Sequence, residues 1–173
     1  MTHYQWRAMK ADDLSHVMEI AALVHAGYYE AREVFAERLA LFPQGCRIAA
    51  HMTPAGTEEV IGYAFMHPTR HGQPPALNRL LLELEERADC LHLHDVALLP
   101  QARGSGLGRA LVEEICQLGR AIGLQRATLV AVHDSGDYWR NAGFESDDQA
   151  HLQAADAIYS YGVGARYMSR TLR

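Results

Sequence analysis

A glycine-rich turn between an apolar segment and an amphipathic helix restricts the possible folds of this chain more than any other feature. Residues 91–99 are strongly apolar, and the turn at residues 101–108 contains three glycines. Apolar residues then recur at helical spacing as far as residue 122. In a strand–turn–helix unit, the free backbone N–H groups and the dipole at the start of the helix favour an anion. The turn therefore predicts an anion site, with Arg103 and Arg109 adding positive charge at its rim.

The spacing of the glycines, G-x-G-x-G, separates this turn from two familiar phosphate loops. Arg109 stands where the dinucleotide pattern G-x-G-x-x-G requires its last glycine. No Lys-Ser or Lys-Thr pair follows, so the loop of nucleotide hydrolases is absent as well. A helix start that is glycine-rich for structural reasons alone remains the alternative to an anion site.

The composition is that of an ordinary globular chain and argues against several classes of protein. The chain has 173 residues, 49% of them hydrophobic, which suits a single domain, predicted here as residues 1–173. A formal net charge of −5 argues against nucleic acid as a partner. No apolar run reaches the roughly 20 residues of a membrane span, and no signal-peptide pattern is present, so we expect no membrane contact and a cytoplasmic location. Cys46, Cys90 and Cys116 are widely spaced and are predicted to be reduced thiols.

Strand-like and helical segments alternate along the chain. Strands are predicted at residues 3–8, 46–52, 60–66, 91–99, 126–132 and 166–172. Helices are predicted at residues 14–24, 30–41, 107–122 and 135–142. Asp12 is expected to cap the first helix, and residues 80–87 are expected to form a short helix or a lid. This mixture predicts a domain of the α+β (mixed α/β) class.

Three segments between residues 90 and 144 resemble motifs of one enzyme family. Residues 103–108, with the sequence RGSGLG, match the R/Q-x-x-G-x-G/A signature of the GNAT acetyltransferases. Residues 95–100, DVALLP, resemble the family's fourth strand where it enters that loop. Residues 138–144, YWRNAGF, resemble its aromatic-x-x-x-G-F segment. Because the order and the spacing agree as well, the chain resembles the GNAT acetyltransferase superfamily.

The resemblance implies the GNAT fold and a binding mode for acetyl-CoA as co-substrate. The fold is a twisted, mostly antiparallel sheet of six or seven strands with about four helices, in which the strands at residues 91–99 and 126–132 splay apart. The amides of the glycine-rich turn would hold the pyrophosphate of coenzyme A, and no metal is expected. The residues expected to contact the cofactor are Val96, Ala97, Leu98, Arg103, Gly104, Ser105, Gly106, Leu107, Gly108, Arg109 and Trp139.

By the same resemblance, the chain is expected to acetylate a primary amine of a small molecule or peptide by direct attack in a ternary complex. An alkyl amine with a pKa of about 10 must lose a proton before it attacks. His92 and His94 lie two apart on one predicted strand and project from one face, whereas Asp95 is expected to point the other way. Residues 92–98, HLHDVAL, are similar to the H-L-H-x-L-A-V segment of serotonin N-acetyltransferases, which implies His92 as the base with His94 assisting.

Two other interpretations of the paired histidines remain. They are buried, hydrogen-bonded structural residues, or they bind a metal together with Cys90, which shares their face. Residues spaced by two along a flat strand diverge too little to surround an ion, so the metal site is the minor alternative.

At the position of the family's proton donor to the thiolate, this sequence departs from the pattern. Trp139 occupies the position of the family's usual tyrosine, and an indole supplies no useful proton. Tyr138 is the predicted substitute, with Tyr161 as an alternative or no acid at all, and Trp139 would pack against the pantetheine arm or the core. The resemblance assigns polarisation of the thioester carbonyl to the backbone N–H of Leu98.

The acceptor side carries no motif. The net negative charge favours a cationic amine weakly. The aromatic, glycine-rich residues 159–168 would line the acceptor pocket, form a homodimer contact, or pack as an edge strand. A protein acceptor requires an open groove, and a small molecule requires an enclosed pocket. The alternative function is a coenzyme A or acyl-CoA sensor or interaction module that performs no chemistry.

Overall fold

One seven-stranded sheet and six α-helices make up the structure, a computed structural model that describes all 173 residues. The strands are β1 (Gln5–Ala8), β2 (Cys46–Met52), β3 (Glu58–Thr69), β4 (Cys90–Leu98), β5 (Arg126–Ala131), β6 (Glu145–Ser146) and β7 (Arg166–Thr171). The helices are α1 (Leu14–Val24), α2 (Arg32–Leu41), α3 (Leu107–Ala121), α4 (Gly136–Asn141), α5 (Asp148–Gln153) and α6 (Ala155–Tyr159). The strand order is β1-β2-β3-β4-β5-β7-β6, and every pair is antiparallel except β4 and β5. The predicted mixed α/β class and mostly antiparallel sheet are confirmed.

The two largest apolar clusters of the core lie on opposite faces of the sheet. One unites α1 and α2 with β2 and β3, and it includes Val17, Phe35 and Tyr63. The other unites α3 with β4 and β5, and it includes Leu91 and Ile115. Alternation of side chains along the strands and the helical repeat of α3 direct these residues to their clusters, as the sequence periodicity predicts.

The splay of β4 and β5 opens a gap in the sheet. These strands pair in parallel only from Cys90 with Arg126 to Leu93 with Leu129, although β4 continues to Leu98. α3 makes the crossover between them, which a parallel pair requires. The predicted splayed pair is therefore present, and the carboxyl-terminal half of β4 borders the gap.

A β-bulge at His94 changes which side chains of β4 share a face. Leu93 pairs with Met66 and Asp95 pairs with Phe65, so His94 is the extra residue on its strand. The expectation that Asp95 points away from His94 was wrong, because it assumed strict alternation. Asp95 contacts Tyr63 and lines the same spaces as His94.

Two local predictions differ from the structure. Residues 80–87 form bends and a turn rather than a helix, because Leu82 has a left-handed φ of 68° that a right-handed helix does not include. Glu37 of α2 holds the segment by accepting the backbone N–H groups of Leu81 and Leu82 at 2.6 and 2.8 Å. Asp12 does not cap the first helix. A short 3₁₀ turn (Ala11–Asp13) precedes α1 instead, and Asp13 accepts the N–H of Lys10 at 2.7 Å.

Residues 145–165 contain structure that the sequence patterns did not predict. They form β6, α5 and α6, and the two helices are too short to show a sustained apolar stripe. One signal was present, since Asp147 precedes α5 and its carboxylate accepts the N–H of Ala150 at 3.1 Å.

The helices and the cysteines bear on two further predictions. None of its helices combines the length and apolar composition that a membrane-spanning helix requires. Cys46, Cys90 and Cys116 are all free, as predicted, and all three are buried.

An ion pair anchors the start of α1, and its removal should be measurable. Asp13, which is 7% exposed, accepts two hydrogen bonds of 2.8 Å from Arg7 of β1. We expect Asp13→Asn to lower the free energy of unfolding at neutral pH by about 1–3 kcal/mol, because it removes the more buried of the two carboxylates that pair with Arg7 and leaves only Glu58.

The pH dependence of this loss follows from the same contact. The hydrogen bond from Arg7 lowers the pKa of Asp13 below its usual 3.8. The stabilisation is therefore complete above that value and is lost as the pH falls through the lower pKa of the folded state. Urea unfolding should show a gap between wild type and Asp13→Asn that narrows in acid, whereas Asp12→Asn, at an exposed neighbour, should show none. A gap that is constant with pH would contradict the prediction.

Candidate functional site

The glycine-rich turn leads into α3 with its backbone donors free. Gly104 and Gly106 have positive φ angles of 75° and 90°, which favour glycine, and Gly106 is the residue that precedes α3. No backbone N–H group of residues 104–109 donates to an acceptor within the protein. With the dipole of α3, these free donors favour an anionic ligand, and the anion site stays a prediction.

A pocket of about 770 Å³, called the loop pocket here, adjoins these donors. Its lining includes all three glycines of the turn and the cationic side chains of Arg109 and Arg170. Arg170 was not predicted, because it lies on β7, far along the chain from the turn. It donates to the carbonyl of Ala142 at 2.7 Å, which holds its guanidinium at the pocket. The loop pocket therefore offers both backbone donors and positive charge to an anionic ligand.

A channel of about 410 Å³ connects the turn to the end of β4 and shares Gly104, Gly108 and Tyr138 with the loop pocket. Seven of the predicted cofactor residues line it: Val96, Ala97, Leu98, Arg103, Gly104, Gly108 and Trp139. Two others do not. The hydroxyl of Ser105 donates to the carbonyl of Ala102, and the side chain of Leu107 is buried in the core. These two residues can contact a ligand through their backbone alone.

The gap between β4 and β5 forms a slot of about 170 Å³ that continues the channel. Val96, Ser135, Tyr138 and Trp139 line both spaces. The slot is also lined by four titratable side chains, those of His25, His94, Asp95 and His133. Loop pocket, channel and slot therefore form one cleft that joins the anion site to a group of acids and bases.

His25, at the end of α1, is the central titratable group of the slot. Its Nε2 lies 3.1 Å from Asp95 Oδ1 and 3.0 Å from the carbonyl oxygen of Val96. Both partners are acceptors, so Nε2 carries the proton and Nδ1 is the atom that can take up another. Burial opposes the charged form, but Asp95 and the Val96 carbonyl outweigh it and raise the pKa of His25 above its usual 6.5. Tyr63 orients Asp95 by donating to its other oxygen at 2.8 Å.

His133 links His25 to solvent. Its Nε2 is 3.1 Å from His25 Nδ1, and the two rings stack with centroids 5.3 Å apart. Burial and the neighbouring His25 lower the pKa of His133. Both His133 and Asp134 have a φ of 53°, a strained conformation for residues other than glycine. This turn after β5 places His133 in the slot, a placement that the sequence did not predict.

His92 and His94, the predicted catalytic histidines of β4, are more deeply buried than His25 and His133. His92 is 1% exposed, lines none of the spaces described above, and has its Nδ1 2.9 Å from Thr128 Oγ1. Burial in the core, with His67 and His94 nearby, holds the pKa of His92 well below its usual 6.5. His94 borders the slot, but its side chain is sealed from solvent and its Nε2 donates to Glu30 at 2.8 Å. The slot thus presents His25 and Asp95 rather than the predicted pair.

The metal alternative gains no support from side-chain geometry. The Cys90 thiol donates to Asp89 Oδ1 at 3.3 Å and does not join the histidines. No group of three or more His, Cys, Asp or Glu side chains is placed to hold an ion.

Tyr138 and Trp139 take different places at the junction of the cleft. Tyr138 lines the loop pocket, the channel and the slot, and a Cβ at Gly108 would lie only 2.0 Å from its hydroxyl. Burial raises the pKa of Tyr138, which keeps its proton in place at neutral pH. Trp139 is 9% exposed and packs edge-on against Phe144 in the core while also lining the channel.

A small inner cavity of about 40 Å³ lies behind the slot and shares His25, His94 and Asp95 with it. Tyr28, Glu30 and Tyr161 contribute to its walls. Tyr161 donates to the carbonyl of Pro75 at 3.1 Å and does not reach the channel, so it is poorly placed as the alternative acid.

Sequence comparison identifies the family of the chain. The model of the acetyltransferase (GNAT) family matches residues 15–144, which is 130 of the 173 residues. Glucosamine 6-phosphate N-acetyltransferase of Trypanosoma brucei brucei is 31% identical over 58 residues. That segment is 34% of this chain and 40% of the relative, so less than half of the relative is matched.

Solved structures share the fold at low identity. N-acetylglutamate synthase of Neisseria gonorrhoeae, complexed with coenzyme A and N-acetyl-glutamate, has a TM-score of 0.68 and 20% identity, over 100% of this chain and 36% of that one. Phosphinothricin acetyltransferase of Sinorhizobium meliloti, in complex with acetyl-CoA, has a TM-score of 0.62 and 21% identity, over 98% of this chain and 88% of that one. With the family model matching three quarters of the sequence, the chain belongs to the acetyltransferase (GNAT) family.

Proposed function

We propose that this chain is an N-acetyltransferase that moves the acetyl group of acetyl-CoA to a primary amine of a small molecule in a ternary complex. The observation that carries the proposal is the single cleft that runs from the free N–H groups of residues 104–109 to the His25–Asp95 pair. Membership of the acetyltransferase family supports the same reaction class.

The cleft fits the parts of acetyl-CoA in order. The pyrophosphate would accept hydrogen bonds from the turn and ion pairs from Arg103, Arg109 and Arg170. The pantetheine arm would lie in the channel against Trp139, and the thioester would enter the slot. There the backbone N–H of Leu98 is proposed to polarise the carbonyl.

The proposed transfer moves one proton from the amine to His25 and one from an acid, proposed below as Tyr138, to the thiolate. The amine nitrogen attacks the thioester carbonyl carbon, the C–S bond breaks, and the thiolate leaves. The amine displaces His133 from His25 Nδ1, which takes the proton that the amine loses and passes it to solvent when the contact with His133 forms again. Asp95 stabilises the resulting imidazolium, as a carboxylate partner does in other histidine bases.

His92 and His94 are proposed to act behind this pair rather than in contact with the amine. The likeness of residues 92–98 to serotonin N-acetyltransferases supports histidine chemistry on β4, but both side chains are buried. His94 holds Glu30 by a hydrogen bond. Burial lowers the pKa of His25, Asp95 raises it, and the charge of Glu30 adds a smaller increase. The ring of His92 lies next to that of His94, with centroids 6.4 Å apart.

Tyr138 is the proposed proton donor to the thiolate, because it lies where channel and slot meet. We expect Tyr138→Phe to lower kcat by about 10²-fold, the lower end of general-acid contributions, without changing the affinity for acetyl-CoA. Steady-state kinetics and calorimetric titration separate the two effects. Tyr159→Phe, at an exposed tyrosine, is the matched control. An unchanged kcat in Tyr138→Phe would mean that the thiolate leaves unaided.

Small molecules are the proposed acceptor class because the slot and the inner cavity are small, at about 170 and 40 Å³, and form no long open groove for a peptide. The relatives named above include enzymes of glucosamine 6-phosphate and of N-acetylglutamate. Tyr161 and Ile158 pack with the α5–α6 segment over this side of the sheet, so part of residues 159–168 lines the acceptor side. Tyr159 and Val163 are exposed, and the homodimer contact stays a prediction.

The test is free thiol release from acetyl-CoA with a panel of small amines and short peptides, alongside calorimetric binding of acetyl-CoA. Turnover with small amines supports the proposal, and turnover with peptides alone would move the acceptor class to proteins. Binding without turnover on any acceptor would favour the sensor alternative. Loss of binding in Arg103→Ala would support the assignment of the turn, and no binding by wild type would contradict both functions.

A further inference from the structure

The charge of the acceptor side restricts the acceptor more than its shape does. Two carboxylates, Glu30 and Asp95, line the inner cavity. Their side-chain partners are His94, His25 and Tyr63, and neither carboxylate is paired with a lysine or arginine. No lysine or arginine lines the inner cavity or the slot. An anionic group placed here would therefore face two carboxylates without a fixed positive charge to balance it.

Arg38 is the one fixed cation buried close to Glu30, and it is not available to a ligand. Its Nη1 donates to Glu37 and to the carbonyl of Arg79, each at 2.8 Å. The side chain is 1% exposed and lines none of the cavities described. Its unpartnered Nε and Nη2 atoms are sealed in the interior. Arg38 therefore affects the buried groups electrostatically but offers no contact to an acceptor.

The remaining walls suit an ammonium group on an apolar body. Tyr28 and Tyr161 present aromatic surface, and Tyr28 packs edge-on against His133 at 4.7 Å between centroids. Aromatic faces attract ammonium ions, as carboxylates do. Leu77, Val130 and Val132 complete the lining and offer no hydrogen-bonding side chain to a polar body.

We propose that the acceptor is a small primary amine whose body is uncharged and apolar, and that amines bearing a carboxylate or phosphate are excluded. This inference rests on the proposed acetyl transfer and specifies its substrate class. The discrimination comes from repulsion as much as from attraction, because the anionic group of an amino acid or amino-sugar phosphate would lie close to the carboxylates of Glu30 and Asp95 in the cavity wall.

Three acceptors that share one carbon skeleton isolate the effect of charge. Isobutylamine, valinamide and valine carry a hydrogen, an amide and a carboxylate at the same carbon, so valinamide controls for bulk. We expect kcat/KM by thiol release to be at least about 100-fold higher for isobutylamine than for valine, the size of an uncompensated like-charge contact. Valinamide should lie nearer the amine. Glucosamine 6-phosphate should be turned over no better than valine.

A charge introduced at the wall should reverse the exclusion. Leu77 is part-buried at the inner cavity, and its backbone N–H donates to Ser160 at 2.8 Å, a contact that substitution leaves in place. Leu77→Arg should raise kcat/KM for valine about tenfold or more and lower it for isobutylamine. Leu77→Met keeps the volume without the charge and should preserve the wild-type order.

These experiments distinguish an error in the substrate class from an error in the proposed acetyl transfer. A wild type that turns over valine or glucosamine 6-phosphate as well as isobutylamine overturns the substrate class and leaves acetyl transfer standing. A Leu77→Arg variant that gains nothing with valine while Leu77→Met behaves as wild type also counts against it. Absence of thiol release with every acceptor, while acetyl-CoA binds, overturns the proposed transfer itself and this inference with it.

Discussion

Replacing His25 with alanine is expected to lower kcat/KM for acetyl transfer by about 10²- to 10⁴-fold, the usual contribution of a general base, and to leave acetyl-CoA binding unchanged. The side chain is the slot's only base in contact with both Asp95 and the route to solvent through His133. Without the imidazole of His25, the amine can lose its proton only to water. Because His25 does not line the channel or the loop pocket, the cofactor keeps its contacts.

The pH profile distinguishes a base from a structural residue. His25 works only when Nδ1 is unprotonated, so kcat/KM should rise with pH through a pKa above 6.5. Asp95 contributes to that raised value, so Asp95→Asn should move the acidic limb to lower pH as well as reduce the rate. A purely structural defect would lower the rate without moving the limb.

His16 supplies the matched control for this experiment. His16 is a second histidine in the α1 region, but its side chain is exposed and does not line the slot. His16→Ala should retain wild-type kinetics. If His25→Ala retains them too while His92→Ala or His94→Ala does not, the base belongs to β4, as the resemblance to serotonin N-acetyltransferases implied.

The parts of the site that the sequence predicted are those that local spacing determines. The strand, the glycine-rich turn and α3 are consecutive, so their residues alone specify an anion site before any long-range contact is known. The same locality explains why Val96, Leu98 and Arg103, which were expected to contact one cofactor, line one channel.

The parts that the sequence did not predict depend on long-range packing. His25 reaches Asp95 because α1 packs across the sheet, and nothing near residue 25 in the sequence indicates that contact. The bulge at His94 results from register against β3, so simple alternation assigned Asp95 to the wrong side. Arg170 enters the loop pocket through the pairing of β7 with β5, across a segment whose short helices have no sustained pattern.

Gly106→Val is expected to weaken acetyl-CoA binding by at least about 100-fold, which is the largest effect that we predict on affinity. Hydrogen bonds to charged groups contribute about 1.5–3 kcal/mol each, and losing two of them at a phosphate exceeds a hundredfold in affinity. A Cβ at Gly106 meets no protein atom within 4 Å, and the residue lines the loop pocket, so the new side chain would occupy the space beside the free N–H groups.

Backbone strain has to be separated from this loss of binding, and Gly56 allows it. Gly56 also has a positive φ, 81°, and open surroundings, but it lies in the β2–β3 hairpin away from the cleft. Valine at either position adopts an unfavourable left-handed conformation that costs about 1–2 kcal/mol of stability. Urea unfolding should therefore show similar losses for both variants, whereas calorimetric titration should show weakened acetyl-CoA binding only for Gly106→Val. If the two variants bind acetyl-CoA with equal affinity, backbone strain alone accounts for their differences from wild type. The phosphates would then bind somewhere other than the turn.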